Sequence, residues 1–564
     1  MNAEETDAVS AKERTVALVL IGAATLLRLP YVFQYRFDSD EPQHLHVVWA
    51  WTRGLLPYRD VFDNHSPLFH FLMAPLLAFV GERPDALTLM RFAMVPLALL
   101  AVWLTYVIAA RLYGRRTAIW SAVLLGLHYE FFFKSLEFRT DNLWTIGWLA
   151  TLAVITGGPM TAGRSLTAGA ALGATLCVSQ KTSLMVVALA GATVLVVAFS
   201  EAAAPAARWL RAGRLAAAAA AGFVVAPLAA WLFFATRGAG AAFVYCVFTH
   251  NTLAGLGTSH EVWRPVIFVA GLALLAWLAS PRVRAAGGDR RGTLRVFLVL
   301  TAAVYALALE SIWPLITGQT FLPLFPLLAI VVVTALDRWD GRRRAQAPGK
   351  AVATAAPAAV LAVLLAAETV VIVLKGPIWR DCASPQTALV AEVMSLTDRN
   401  DPVADTKGET IFRMRPFFWV LETITIERLR RGLIPDTIAE DIVRSRCYVA
   451  SSDSARFPPG GREFLSENFI PVGGLRVAGR FLRSSDGPTP RARFEIAIPG
   501  TYAVVTPAGT ASGTLDGVPY ARPRALAAGP HEFVPERGSG QMAVVWARAV
   551  ERGLSPFGRP RNES

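Results

Sequence analysis

Residues 38–46 of this 564-residue chain read Asp38-Ser39-Asp40-Glu41-Pro42-Gln43-His44-Leu45-His46. Carboxylates and imidazoles at this density can take a proton from an attacking hydroxyl or hold a divalent cation. They directly follow an apolar run, 15–33. Ionisable groups so close to hydrocarbon are costly and mark functional sites by default. Asp38 and Asp40 form an Asp-x-Asp pair, a spacing that suits a metal ion. The next cluster, Asp63-Asn64-His65-Ser66-Pro67-Leu68, adds a carboxylate and an imidazole. Glu137-Phe138-Arg139-Thr140-Asp141 and Gln180-Lys181-Thr182 bring cations that suit a phosphate. His250-Asn251 and His260-Glu261 add further polar groups.

The elements that must position these groups are membrane helices. The chain is 54% hydrophobic and 17% charged, against about 25% charge in soluble domains. Apolar runs at 15–33, 87–109, 117–134, 142–156, 165–180, 184–200, 214–235, 264–280, 296–310, 321–336 and 353–374 predict an α-helical polytopic membrane domain over 1–375, with about 11 transmembrane helices. The first run ends without a small-residue cleavage site and reads as a retained helix. The run 66–80 is short for a span and reads as a helix in the outer interface.

Charge sets the topology. Alternate loops carry Arg111, Arg115 and Arg116, then Arg164, then Arg208, Arg211 and Arg214; Arg282–Arg295 and Arg338–Lys350 continue the series. The positive-inside rule places these loops and the N-terminus in the cytoplasm. The acidic first loop, 34–66, and the tail are then extracytoplasmic, in a multi-pass inner (plasma) membrane protein. The net charge of +13 is therefore a topology signal, and it argues against nucleic acid as a partner.

The tail begins at 376. Thr387–Leu396 and Pro435–Arg446 read as helices, and Pro402–Thr406 and Cys447–Ser451 as short strands. From about 490 the pattern becomes Gly/Pro-punctuated alternation. This predicts an α/β domain over 376–486, a small β-sandwich over 487–552, and a disordered end over 553–564. Cys382 and Cys447 both lie in the tail. A disulfide between them and two unrelated thiols fit equally.

With these placements the residues resemble the GT-C class of glycosyltransferases. Protein O-mannosyltransferases carry Asp-Glu followed by His, then an Asp-x-His-Pro-Pro-Leu-like string; bacterial aminoarabinose-to-lipid-A transferases carry Asp-Glu, then Lys-Pro-Pro-Leu-like residues. Asp40-Glu41-x-x-His44 and Asp63-Asn64-His65-Ser66-Pro67-Leu68 are similar to both. Two departures stand out: Ser66 replaces the first Pro, and His65 holds the Lys-type position. Arg139-x-Asp141, Gln180-Lys181 and Pro323-Leu324-Phe325-Pro326 continue the resemblance, which covers 1–375.

The resemblance implies transfer of a hexose or pentose from a polyprenyl-phosphate carrier to an acceptor hydroxyl on a glycan, lipid or protein, by inverting displacement outside the cytoplasm. It implies Asp40 as general base with Glu41 in support. Arg139, Lys181 and His65 would hold the donor phosphate. Asp63, Glu137, Asp141 and His44 would line the substrate. No cofactor is required on this reading, although a divalent metal could sit at Asp38 and Asp40, or at His250 with Asp63 or His65.

Other roles fit the same residues. Asp40 and Glu41 suit the N-terminus of a helix starting at Pro42. His44 and His46 lie in an amphipathic segment with Trp49 and Trp51, which suits interfacial anchoring. Arg139 and Asp141 could simply pair, and Lys181 could snorkel. A lipid-linked-sugar flippase and a non-catalytic scaffold with a sugar-binding tail remain open; the first usually shows internal repeats, and none is evident here.

Overall fold

The computed structural model describes residues 9–558 apart from 202–203, 254, 257–262, 347–350, 453–454, 484–490 and 537–539. His260, Glu261 and residues 559–564 lie outside the described residues.

Each of the eleven apolar runs is helical. The chain opens with α1 (Ala11–Gln34), α2 (Asp40–Thr52), α3 (Leu68–Val80), α4 (Ala86–Arg91), α5 (Met94–Tyr113), α6 (Arg115–Leu127), α7 (Tyr129–Lys134) and α8 (Thr140–Thr156). It continues with α9 (Ala162–Leu176), α10 (Thr182–Phe199), α11 (Pro205–Ala235), the short α12 (Gly240–Val244) and a π-helical turn, Tyr245–Thr249. Then come α13 (Arg264–Ala285), α14 (Arg290–Ile312), a 3-10 turn Gly318–Phe321, α15 (Phe325–Gln346) and α16 (Ala351–Lys375).

Among the described residues, seven helical segments are long and apolar enough to cross a membrane: Ala11–Gln34, Ala86–Tyr113, Thr182–Phe199, Pro205–Ala235, Arg264–Ala285, Arg290–Ile312 and Ala356–Lys375. The other four expected spans correspond to α6, α8, α9 and α15. Three of these are short, at 13, 17 and 15 residues. The fourth is charged through its second half, from Asp337 to Arg344. The run 66–80 forms the 13-residue α3.

Apolar helices in a lipid phase gain little from the hydrophobic effect and associate by close backbone packing. α9 shows this against α11. Gly169 and Gly173 lie one helical turn apart, and a Cβ on either would enter the backbone of Ala219 or Phe223. Gly222 of α11 meets the Leu166 carbonyl in the same way. Gly169→Leu or Gly173→Leu is expected to abolish the monodisperse peak in detergent size-exclusion chromatography. Gly163→Ala, on the same helix but facing open space, should leave the peak unchanged. A normal peak for both leucine variants would refute this packing.

The chain divides into two compact units. A membrane-helix unit comprises Met1–Arg36, Asn64–Leu76 and Thr88–Cys382. A loop-and-tail unit comprises Phe37–Asp63, Leu77–Leu87 and Ala383–Ser564. The first loop thus folds with the tail.

The tail strands are β1 (Val403–Ala404), β2 (Val449–Ser451), β3 (Phe469–Val472), β4 (Leu475–Leu482), β5 (Ala492–Ile496) and β6 (Gly500–Thr506). They continue as β7 (Gly509–Thr510), β8 (Gly513–Leu515), β9 (Val518–Tyr520), β10 (Arg524–Leu526), β11 (Gly529–Pro535) and β12 (Met542–Trp546). An eight-stranded sheet runs β1-β2-β4-β12-β6-β10, with β3 beside β4 and β7 beside β6; a four-stranded sheet runs β5-β11-β8-β9. β12 pairs with β4 on one side, Val544 opposite Arg480, and with β6 on the other, Val544 opposite Val504. The large sheet therefore crosses the boundary expected at 486/487, which does not divide the tail. Residues of both sheets share one core, including Phe494, Leu515 and Phe533 with Val504 and Val545. The Tyr520 hydroxyl joins them by accepting from the Val504 N–H at 2.7 Å.

Cys382 and Cys447 are not bonded to each other. Cys447 is buried in the tail core. Burial pushes its thiol pKa up to about 12, which leaves it inert as a nucleophile.

Candidate active site

The expected site residues form two clusters, one within each unit. The first lies in the membrane-helix unit. Arg139 precedes α8 in an extended conformation, and Asp141 sits in the helix's first turn, where an acid suits the helix dipole. Arg139 Nε donates to Asp141 Oδ2 at 3.2 Å. Lys181, just before α10, donates from Nζ to Asp141 Oδ1 at 2.6 Å. The same ammonium stands 5.4 Å from the Trp144 ring centroid, and Trp144 Nε1 donates to the Thr182 hydroxyl at 3.1 Å. The starts of two helices, α8 and α10, therefore meet at the Lys181 head group.

Glu137 joins this cluster. Lys134 Nζ donates to Glu137 Oε1 at 2.6 Å, and Arg139 Nε lies 3.9 Å from Glu137 Oε2. Asn142 Nδ2 donates to the Glu137 carbonyl at 3.0 Å. Gln319 closes the group. With its amide oxygen toward the cations, it accepts from Arg139 Nη1 and Lys134 Nζ at 3.1 Å each and donates to the Thr317 hydroxyl at 2.8 Å. Three cations thus face two carboxylates, all largely buried: Glu137 and Asp141 side chains are 2% exposed, Arg139 7% and Lys181 18%. Guanidinium and ammonium groups gathered in this way are suited to an anion. Lys134 and Gln319 escaped the sequence reading. Lys134 ends an apolar run only three residues before Glu137, and that spacing was the available signal.

The string at 64–68 belongs to the same unit. His65 lies within electrostatic range of Asp141, and its ring centroid is 6.3 Å from that of the buried His70. Asn64 Nδ2 donates to Asn251 Oδ1 at 3.3 Å, and Asn251 Nδ2 donates back to the Asn64 carbonyl at 2.8 Å. Neighbours of His65 and His250 are thereby joined at the end of the π-helical turn, a local geometry often found at functional sites. His250 itself is fully buried. Among the described residues no three His, Cys, Asp or Glu side chains form a group that could hold a metal ion. The proposed set of His250 with Asp63 or His65 has no such group behind it.

The second cluster lies in the loop-and-tail unit, at the start of α2. Asp38 Oδ1 accepts from the Asp40 N–H at 3.1 Å, while Glu41 Oε1 accepts from the Asp38 N–H at 2.8 Å. Asp38 and Glu41 thus close the first turn of α2, as helix-capping acids do. The Asp40 carboxylate is bonded by the Lys407 ammonium, which also donates to Ser39 Oγ at 3.1 Å. Lys407 belongs to the loop after β1, Asp405-Thr406-Lys407-Gly408-Glu409-Thr410. Sequence reasoning had no signal for it, because its partner lies 367 residues away.

Hydrogen bonds shape that loop. Asp405 accepts from the Gly408 and Thr410 N–H groups at 2.9 and 3.0 Å. Glu409 accepts from the Thr406 and Lys407 N–H groups at 3.1 and 2.7 Å. Gly408 has φ +83°, and a Cβ there would press on Gln43 Cα and His46 Cβ at 3.2 Å. His44 and His46 correct the anchoring expectation. Both are buried, and the loop packs on α2 at His46, whose Nδ1 lies 2.7 Å from the Ile411 carbonyl. Trp49 is buried too, and its Nε1 donates to Glu82 at 3.0 Å. Asp63 is also buried.

Burial holds His46 down at about 4, from an ordinary 6.5, with the Arg415 charge adding to the effect and Asp405 opposing it. Between these values the unfolded chain binds a proton that the folded chain excludes. Stability is then full above about pH 6.5 and falls as pH drops toward 4. Glu409 is raised by burial and by Asp405, which favours the folded state at low pH and so opposes His46. His46→Gln is expected to shallow the acid-side loss of thermal stability. An identical pH profile for the variant would refute the assignment.

These helices and the C-terminal sheet region make a polytopic α-helical membrane protein with a sheet-rich tail. The particular similarity is to ArnT from Cupriavidus metallidurans. Its apo crystal structure matches with a TM-score of 0.55 at 14% identity, over 82% of this chain and 98% of that one. The same protein bound to undecaprenyl phosphate matches with a TM-score of 0.54 at 14% identity, over 82% and 97%. The Archaeoglobus fulgidus oligosaccharyltransferase in its apo form scores 0.48 at 11% identity, over 89% and 74%, too low to carry an argument. No family model and no curated protein matches the sequence. The likeness is one of fold.

Proposed function

We propose that the chain is a membrane glycosyltransferase that moves a hexose or pentose from a polyprenyl-phosphate carrier to an acceptor hydroxyl outside the cytoplasm. The observation that carries this reading is the buried cluster of Lys134, Arg139 and Lys181 over Glu137 and Asp141. A protein of the same fold binds undecaprenyl phosphate, which is the carrier type the reading requires.

Asp40 takes the acceptor's hydroxyl proton as that oxygen attacks the anomeric carbon. The bond from that carbon to the phosphate oxygen breaks, and its electron pair leaves with the polyprenyl monophosphate. Configuration inverts in the single displacement. The leaving phosphate gains negative charge, which Arg139 and Lys181 stabilise with His65 as a hydrogen-bond donor. Glu41 holds the first turn of α2, so that Asp40 is correctly aimed. Asp63, Glu137, Asp141 and His44 shape the substrate surroundings, and no cofactor is required. The apolar helices supply the lipid-facing surface for the carrier tail. The protein sits in the inner membrane, with its N-terminus cytoplasmic and its tail outside.

The test is transfer of label from a panel of polyprenyl-phosphate sugars in envelope membranes. Label reaching an acceptor with the intact protein, and not with Asp40→Asn, is the expected result. Equal labelling by both proteins would overturn the assignment.

A further inference from the structure

We propose that Lys407 is a positioning residue for Asp40, a tethered ammonium filling the cation position of Asp38-Ser39-Asp40. The inference rests on the transfer reading above and deepens it.

Three observations converge. The two acids flanking Lys407, Asp405 and Glu409, are committed to N–H groups of their own loop, while the ammonium reaches out of the loop to Ser39 and Asp40. Gly408 allows the approach, since its φ and its space against α2 both exclude a side chain. Of the acids at the start of α2, Asp38 and Glu41 close the turn, and Asp40 meets the cation.

Lys407 is 7% exposed, and burying an ammonium so deeply is costly without a paired carboxylate. Here the pairing falls on the one side chain placed to accept the acceptor's proton. Asp40 stays 22% exposed beside its partner, so the carboxylate is held and still reachable. The ammonium fixes one Asp40 rotamer and supplies the positive charge that a divalent ion would bring to the same place. The proton still passes from the acceptor hydroxyl to Asp40, and Lys407 keeps its own protons.

Chemical rescue tests this in the full-length protein. Lys407→Ala leaves room for a small amine, while Lys407→Gln keeps the stem and loses the charge. Both are expected to lower turnover by about 10²-fold, the scale of one preorganised electrostatic contact. Methylammonium should restore Lys407→Ala by about tenfold and leave Lys407→Gln and the intact protein unchanged. Tetramethylammonium, with no N–H, should restore nothing. Full turnover by Lys407→Ala, or a loss in folded protein that no small amine restores, overturns the proposal.

A second measurement separates this from failure of the transfer reading. If the intact protein transfers no sugar, thermal midpoints of Asp40→Asn, Lys407→Gln and the double variant still report the pair. Non-additive shifts are expected. Additive shifts overturn the pairing.

Discussion

Asp40→Asn is expected to cut sugar transfer by about 10²-fold or more, the scale of a lost general base, in a protein that still elutes as a single species. Asn keeps the size of Asp and accepts a hydrogen bond, but it cannot take the acceptor's proton. It also leaves the Lys407 ammonium, 9% exposed at its side chain, without its counter-charge. A lower thermal midpoint should therefore accompany the lost turnover. The kinetic loss should lie in kcat, with donor KM little changed, as expected of a base that serves the acceptor. Normal kcat in Asp40→Asn would remove the base from this residue and return it to helix capping.

The second large effect concerns Lys181. Lys181→Ala is expected to lower kcat/KM for the polyprenyl-phosphate donor by about 10²-fold, as loss of one electrostatic partner does. Acceptor kinetics should move much less. Asp141, 2% exposed, would keep Arg139 at 3.2 Å and lose its 2.6 Å ammonium. Lys181→Arg keeps the charge and should recover much of the donor use. An unchanged donor KM in folded Lys181→Ala would mean that Lys181 only braces Asp141 and Trp144.

Both variants touch residues that were legible from sequence. Arg139, Asp141 and Lys181 were visible as polar groups at the ends of apolar runs, because charge beside hydrocarbon has few bland explanations. The helices themselves followed from apolar run length, and the tail strands at Gly500–Thr506 and Met542–Trp546 from alternation. What failed to show was long-range pairing. Nothing local in Met542–Trp546 says that it separates β4 from β6, so the tail was split at 486/487. His44 and His46 share a segment with Trp49 and Trp51 and looked interfacial, since the Ile411 carbonyl that meets His46 is encoded hundreds of residues later. Lys407 was hidden for the same reason.

The chain makes Asp40 long before Lys407. At about 5–20 residues per second, the 367 residues between them take about 20–70 seconds to synthesise. During that time the acidic start of α2 exists without its ammonium, and His46 without the Ile411 carbonyl. A chain stopped short of residue 403 would keep every apolar run, and so could still insert. It would lack the loop that completes the start of α2. The pairing of Asp40 with Lys407 therefore forms only once the last third of the chain is being delivered.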